Sequence, residues 1–304
     1  MPTRRRLVAL PIAGALAAPA AAQEPSPIRR RLAMLKLGAN LERWYAITKD
    51  NQPRRLGPGW WRGFRAAGFD HARIFLPEIA QTGSSMDIPA LYLNAVKDAV
   101  EAGLPVFLGM ADFYYQKKPW SERDWEGMRA RTRFFAERTD PSMVVLAPLN
   151  EPVFDDNASW MPVRDRMLAD MRRAAPQHML MWGGHEWNSA RSLVGCPPPA
   201  DPNTIAEAHD YQGTQSPGRF QAVAAWRDRN RIPVIVSELG GAFGHETNRA
   251  AWAADLARVL PELRQLGLPA TLWSYSHGSH WRMQNGDEPM PKPDLIPPGL
   301  LSAR

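Results

Sequence analysis

Short apolar runs alternate along this chain with longer amphipathic stretches rich in Ala, Arg and Leu, with polar loops between them. Eight runs can be counted, at 34–37, 72–76, 106–110, 143–149, 179–182, 205–208, 234–236 and 270–273. Between most of them the pattern predicts helices, over 60–67, 90–102, 124–138, 165–174, 220–229 and 248–266. Gly103 follows the second of these as a C-cap, and the last stops at Gly267 ahead of Pro269. Short buried strands joined through helices imply βα units and a parallel sheet. Eight of them suit a closed (β/α)8 barrel, an α/β fold, better than an open doubly wound sheet. No Gly-rich phosphate loop follows any run, which counts against a dinucleotide fold.

Residues 1–22 stand apart from this pattern. Arg4, Arg5 and Arg6 precede an alanine-rich apolar run from Leu7, and Ala20-Ala21-Ala22 ends just before Gln23. That is the order of a secretory signal: basic start, short apolar centre, small-residue cleavage site. The run is too short, and too broken by Pro11 and Pro19, for a span, which needs roughly 20 apolar residues. Thr3-Arg4-Arg5-Arg6-Leu7 also resembles a twin-arginine export signal. The expected product is therefore an exported protein, periplasmic or secreted, with no membrane span in the mature chain.

Removing residues 1–22 takes away three Arg and no acid, so the formal charge falls from +6 to +3. The remaining Arg residues are scattered, and no basic stripe argues for a nucleic-acid partner. No low-complexity linker interrupts the rest, and a single domain is expected over 30–304, close to the roughly 250 residues of an α/β barrel. Cys196 is the one cysteine, so there is neither an intrachain disulfide nor a thiolate cluster. It reads as a passive loop residue in a monomeric chain.

In a parallel barrel the chemistry sits where strands end and βα loops begin. Two runs lead straight into a carboxylate there. Residues 144–149 run into Asn150-Glu151-Pro152, and 234–237 run into Glu238-Leu239-Gly240-Gly241. A single Glu in such a place caps the next helix more often than not. Two, after the fourth and seventh runs, fit glycoside hydrolysis, in which one carboxylic acid protonates the leaving oxygen and a second carboxylate attacks the anomeric carbon or activates water.

From 35–42 to Leu272-Trp273-Ser274 the sequence resembles glycoside hydrolase family five, the cellulase-type branch of the four/seven barrel superfamily. Asn150-Glu151-Pro152 is similar to its acid/base motif and Ser237-Glu238-Leu239-Gly240 to its nucleophile motif. His209-Asp210-Tyr211, Arg73 and Trp273 fit the family's strand-six, strand-two and strand-eight residues. The resemblance implies Glu151 as general acid/base and Glu238 as nucleophile of a retaining enzyme. It implies Tyr211 and Arg73 as supports of Glu238, and Asn150 on the sugar 2-hydroxyl. His209 would hold a hydroxyl near the cleavage point, and Trp273 would lie beneath the sugar ring. One departure concerns substrate: Ala111 stands at or near the family's strand-three His, leaving Asp112 or Tyr114 to take that contact.

Among the twelve tryptophans, Trp44, Trp120, Trp160, Trp187 and Trp281 follow strands, and two or three of them are expected to line the cleft, whereas Trp226 and Trp252 fall within helices and fill the core. His277, His280, His185 and Glu186 offer ligand types for a metal, but no early His-x-His pair accompanies them, and neither metal nor cofactor is expected. The function expected is hydrolysis of an oligo- or polysaccharide, by default as an endo-β-1,4-glucanase. β-Mannanase, exo-β-glucosidase and a hydrolase of the cell's own exopolysaccharide are the alternatives. A non-catalytic carbohydrate-binding barrel is the competing class.

Overall fold

A computed structural model describes residues 26–41, 56–77, 87–111, 114–116, 120–276 and 283. The expected export signal lies outside the described residues. The strands are β1 (Leu37–Leu41), β2 (Ala72–Phe75), β3 (Val106–Gly109), β4 (Tyr114–Gln116), β5 (Val144–Ala147), β6 (Glu151–Val153), β7 (Met179–Trp182), β8 (Thr204–Asp210), β9 (Val234–Leu239) and β10 (Ala270–Ser276). The helices are α1 (Pro27–Leu32), α2 (Pro58–Ala66), α3 (Asp87–Glu101), α4 (Glu122–Ala136), α5 (Asn157–Ala174), α6 (Ala190–Val194), α7 (Arg219–Asn230) and α8 (Arg249–Gln265). Eight strands close into a parallel barrel in the order β1-β10-β9-β8-β7-β5-β3-β2, while β4 and β6 pair separately. The expected (β/α)8 architecture is the one found.

Successive strand residues face opposite ways, so each barrel strand feeds two cores. Phe107, Val145, Ala147, Met179, Met181, Ile205 and Ile235 fill the barrel interior, joined by Ile28 and Leu32 of α1. Their neighbours, among them Val106, Leu108, Val144, Leu146, Leu180, Trp182 and Val234, pack outward in the larger core beneath the helices. On that outer side Phe64 of α2 stacks on Phe69 at 4.4 Å and meets Tyr275 of β10 edge-on at 5.3 Å. Trp226 and Trp252 are buried there too, as expected.

Seven of the eight predicted runs coincide with strands to within a few residues. The first does not: β1 begins at Leu37, and Met34 is 67% exposed. Gly38 and Asn40 disguise this strand as a loop, yet the glycine is required, because a Cβ there would meet the His71 ring at 2.3 Å. The predicted helix at 165–174 starts eight residues earlier, capped by Asp156, and runs through Pro162. Gly103 and Gly267 adopt φ of +80° and +63°, the left-handed conformation that ends a helix. None of the described helices is long and apolar enough to cross a membrane.

In β9 the ladder gains one residue relative to both neighbours. Against β8, Ala208 pairs with Val236 but His209 pairs with Glu238; against β10, Ala270 pairs with Val236 but Leu272 with Leu239. Such a bulge re-aims side chains at a barrel rim. Here it lets Ser237 and Glu238 both reach inward partners.

Phe64→Ala removes the centre of the α2 aromatic cluster and is expected to cost about 3–5 kcal/mol in chemical denaturation. A loss within the roughly 0.5 kcal/mol of a surface substitution would contradict this packing.

Candidate active site

The C-terminal ends of the strands gather a dense set of buried polar side chains. Arg73 on β2 is its hub. Its Nη1 donates to Glu238 Oε1 at 2.8 Å and to Asn40 Oδ1 at 3.1 Å. Its Nη2 donates to Glu207 Oε2 at 2.9 Å and to Asn150 Oδ1 at 3.0 Å. The guanidinium also lies 4.1 Å over the Phe75 ring. Planar Arg suits such a fork, since one rigid group fixes several acceptors at once.

Glu151 opens β6 and Glu238 sits near the end of β9. One oxygen of each lies, with a nitrogen of His209, in a group whose members fall within 4.8 Å of one another. His209 Nδ1 stands 2.8 Å from Glu151 Oε1 and 3.5 Å from Glu238 Oε2. The Tyr211 hydroxyl donates to Glu238 Oε2 at 2.6 Å. Burial pushes that phenol well above its ordinary pKa, with Glu238 adding to the effect, so it stays a donor at neutral pH.

Burial, the largest influence, and the charge of Glu151 raise Glu238 above the ordinary carboxylate range, while His209, Arg73 and Tyr211 pull it back. Burial disfavours a charge on His209, yet Glu238, Glu151 and Glu207 push its pKa up to about 9.

The residues singled out from the sequence thus converge, with one difference of detail. His209 was expected to face a sugar hydroxyl; instead both its nitrogens are turned to protein groups and its side chain is only 2% exposed. Asn150 is oriented from two sides, its Oδ1 taken by Arg73 and its carbonyl accepting from Asn188 Nδ2 at 2.6 Å. Its amide NH2 has no protein partner among the described residues. Trp273 is half-buried and meets Phe75 at 6.3 Å. Ala111, at the place of the missing strand-three imidazole, is buried, and Asp112 lies outside the described residues.

The tryptophan expectation is partly corrected. Trp160 is in the core with its indole N–H on the Gly183 carbonyl, and Trp120 packs on Trp125. Trp187 is 48% exposed and adjoins Asn188, which touches both Asn150 and His209. Both Trp187 and Asn188 adopt positive φ, of 45° and 54°, a conformation that costs energy in residues with a Cβ. Trp44, Trp281, His277 and His280 lie outside the described residues. Phe243, 70% exposed and stacked on Tyr211 at 5.5 Å, was not foreseen.

Sequence reasoning also missed Glu207, Ser237, Asn40 and Asn188. Glu207 was legible in principle, as an acid two residues before His209 and hence on the same strand face. Glu151, His209 and Glu238 have the ligand types of a metal site. In this structure they are engaged with one another through His209 Nδ1, and Arg73 places a cation on Glu238. His185 and Glu186 are engaged elsewhere, with Asn157 and with Arg191 and Ser189.

A family model described as Cellulase (glycosyl hydrolase family 5) matches residues 67–279. Endoglucanase H of Acetivibrio thermocellus is 25% identical over 262 residues, covering 76% of this chain and 28% of that protein, so the chain spans under a third of this relative's length. A solved endoglucanase has a TM-score of 0.69 at 16% identity, covering 89% of this chain and 100% of its own. The cellulose synthase subunit Z of Clostridioides difficile has 0.67 at 18%, covering 86% and 99%. Cel5A of Thermotoga maritima, solved with mannotriose, has 0.66 at 19%, covering 85% and 95%. The structural likenesses show the shared barrel, and the family match over more than two thirds of the sequence establishes that the chain belongs to glycosyl hydrolase family 5, the cellulase family.

Proposed function

We propose that the protein is a retaining glycoside hydrolase that cleaves β-linked glycans by double displacement. The carrying observation is the Glu151–Glu238 pair, with one oxygen of each within 4.8 Å of the other. An attacking water held between two carboxyl groups needs about 6.5–9.5 Å, whereas direct attack by one of them needs about 5–5.5 Å.

In this scheme Glu151 is the proton donor. Glu238 accepts from Arg73 and from Tyr211, donors that favour its ionised form, while Glu151 meets His209 through Oε1 alone. In the first half-reaction Glu238 attacks the anomeric carbon, the glycosidic C–O bond breaks, and the Glu151 proton passes to the leaving oxygen. The product is a neutral glycosyl ester on Glu238 and an ionised Glu151. In the second half, Glu151 takes a proton from water, the water oxygen bonds to the anomeric carbon, and the ester C–O bond breaks. Asn150, held from two sides, offers its NH2 to the sugar 2-hydroxyl, a contact that strengthens at the transition state.

The preferred substrate class is a β-1,4-linked glucan, cut internally. Its support is the endoglucanase relatives, together with Trp187, Trp273 and Phe243 as flat apolar surfaces around the pair. A β-mannan is the second reading, because Cel5A of Thermotoga maritima was solved with both mannotriose and cellobiose. Residues 1–22 support export to the periplasm or beyond.

Glu238→Ala is expected to abolish turnover while glycan binding persists; near-normal activity would remove Glu238 from the mechanism. Glu151→Gln is expected to lose about 10²–10⁴-fold on natural glycans and far less on aryl glycosides whose leaving group needs no proton. An equal loss on both would dismiss Glu151 as the acid. A panel of β-glucan, mannan and xylan oligosaccharides, with product lengths read by mass spectrometry, is expected to show internal cuts in β-glucan first. Preferential cleavage of mannan would favour the second reading.

A further inference from the structure

Beneath the pair lies a third carboxylate that the double-displacement scheme does not use. Glu207, in the middle of β8, is 1% exposed. Its Oε2 accepts from Arg73 Nη2 at 2.9 Å and from Ser237 Oγ at 2.6 Å, and stands 3.5 Å from His209 Nε2. Burial alone would raise its pKa, but Arg73, His209 and Ser237 outweigh that and hold it below the ordinary carboxylate range. It is therefore a buried group ionised at neutral pH, costly unless its charge is needed.

A charge count shows what it balances. Before glycosyl transfer, Glu238 and Glu207 are negative, Arg73 is positive and Glu151 is protonated. With His209 neutral the buried cluster carries −1; with His209 protonated it is neutral. After transfer Glu238 is an ester and Glu151 is ionised, and the count is unchanged. The negative charge has moved from one neighbour of His209 Nδ1, at 3.5 Å, to the other, at 2.8 Å. At Nε2 the nearest polar groups are Arg73 Nη2 at 3.3 Å, Asn188 Nδ2 at 3.4 Å and Glu207 Oε2 at 3.5 Å. Of the three only Glu207 Oε2 can accept a hydrogen bond, so a proton on Nε2 depends on the Glu207 charge.

We propose that Glu207 is a positioning residue, a fixed counter-charge that keeps His209 an imidazolium and Arg73 aimed at Glu238 while the reacting charge passes between Glu238 and Glu151. This rests on the roles given above to those two carboxylates. Every charged or titratable group that faces His209 enters the balance: Arg73 from β2, Glu151 from β6, Glu238 from β9, Glu207 from its own strand, and the Tyr211 phenol just beyond it.

The test is Glu207→Gln, which keeps the shape and an acceptor for Arg73 and Ser237 but removes the charge. Imidazole nitrogens of histidine-labelled protein are followed by NMR against pH, with the His209 signal assigned by its loss in His209→Asn. In the native protein His209 is expected to hold both ring protons at neutral pH, its pKa raised by the carboxylates around it. In Glu207→Gln its pKa is expected to fall by roughly two units or more. Losing the imidazolium beside Glu151 and Glu238 favours their protonated forms, so the pH profile of kcat/KM on a neutral oligosaccharide should move upward by about one unit. The fall in activity should appear in kcat, with KM little changed. An unmoved His209 titration, or a uniform loss of activity at all pH values, would mean a merely structural role and overturn the proposal. Should Glu207→Gln not fold, the native titration still decides, since a His209 found neutral at pH 7 overturns it. The NMR arm needs no substrate, so a native protein that cleaves no glycan defeats the hydrolase reading separately.

Discussion

Charge buried at the mouth of the barrel has to be neutralised within the protein, and Arg73 is where that happens. Its guanidinium is 1% exposed and touches two carboxylates that are themselves almost completely buried. Remove it and Glu207 and Glu238 would face each other's charge in a poorly solvated space, an arrangement proteins avoid by taking up protons. With it, both carboxylates have a cation against them and their positions follow from one rigid plane. The same contact therefore makes the pocket tolerable and sets the direction of the group proposed to attack the sugar. Deleting one partner of a buried pair strands the other charge, so it costs more than the contact alone.

The barrel brings these groups together without using a flexible loop for most of them. Arg73 and Glu238 are 165 residues apart in sequence, and Arg73 and Glu207 are 134 apart. Closure of eight parallel strands puts their C-terminal ends in one ring, so a side chain one residue further along any strand lands at the same mouth. Where simple alternation would have turned one of two consecutive residues outward, the extra residue of β9 lets Ser237 hold Glu207 and Glu238 hold Arg73. At the other end Ile28 and Leu32 of α1 pack on the inward residues. One end is packed and the other is polar, and the strands between them transmit rigidity to the site.

What the sequence reveals follows from this geometry. Parallel strands buried on both faces read as continuous apolar runs, which is why β2, β3, β5 and β7 are easily found. β1 is hidden because its Gly38 and Asn40 answer to neighbours, the His71 ring and the carbonyls of Ser237 and Leu272, and not to burial of apolar surface. Glu151 and Glu238 are legible because each stands just past an apolar run, where a carboxylate is conspicuous. Glu207 is masked by Ile205, Ala206 and Ala208, which make its strand look uniformly apolar. Asn188 carries no signal at all, because it reaches the site from a loop whose conformation depends on a positive φ. Trp160 shows the opposite error: its place after a strand suggested a sugar platform, but α5 begins early and turns the ring into the core.

The balance of charge also bears on what the cleft prefers to bind. On the charge balance proposed above, the cluster projects no net field to draw in an anionic sugar or repel it. Its hydrogen-bonding groups are mostly spent on one another, leaving the Asn150 NH2 and the outer oxygen of Glu151 for a ligand. Affinity must then come from surfaces beside the cluster. Of the three large apolar side chains left exposed among the described residues, Trp187 lies next to Asn188, which touches His209, and Phe243 lies on Tyr211, which donates to Glu238. Flat rings flanking a neutral polar centre match the C–H faces of an uncharged sugar chain, with the carboxylates meeting only the bond to be broken. A uronate-rich polymer would bring charge toward carboxylates whose cations are already taken. That physical reason supports the neutral β-glycan proposed as substrate.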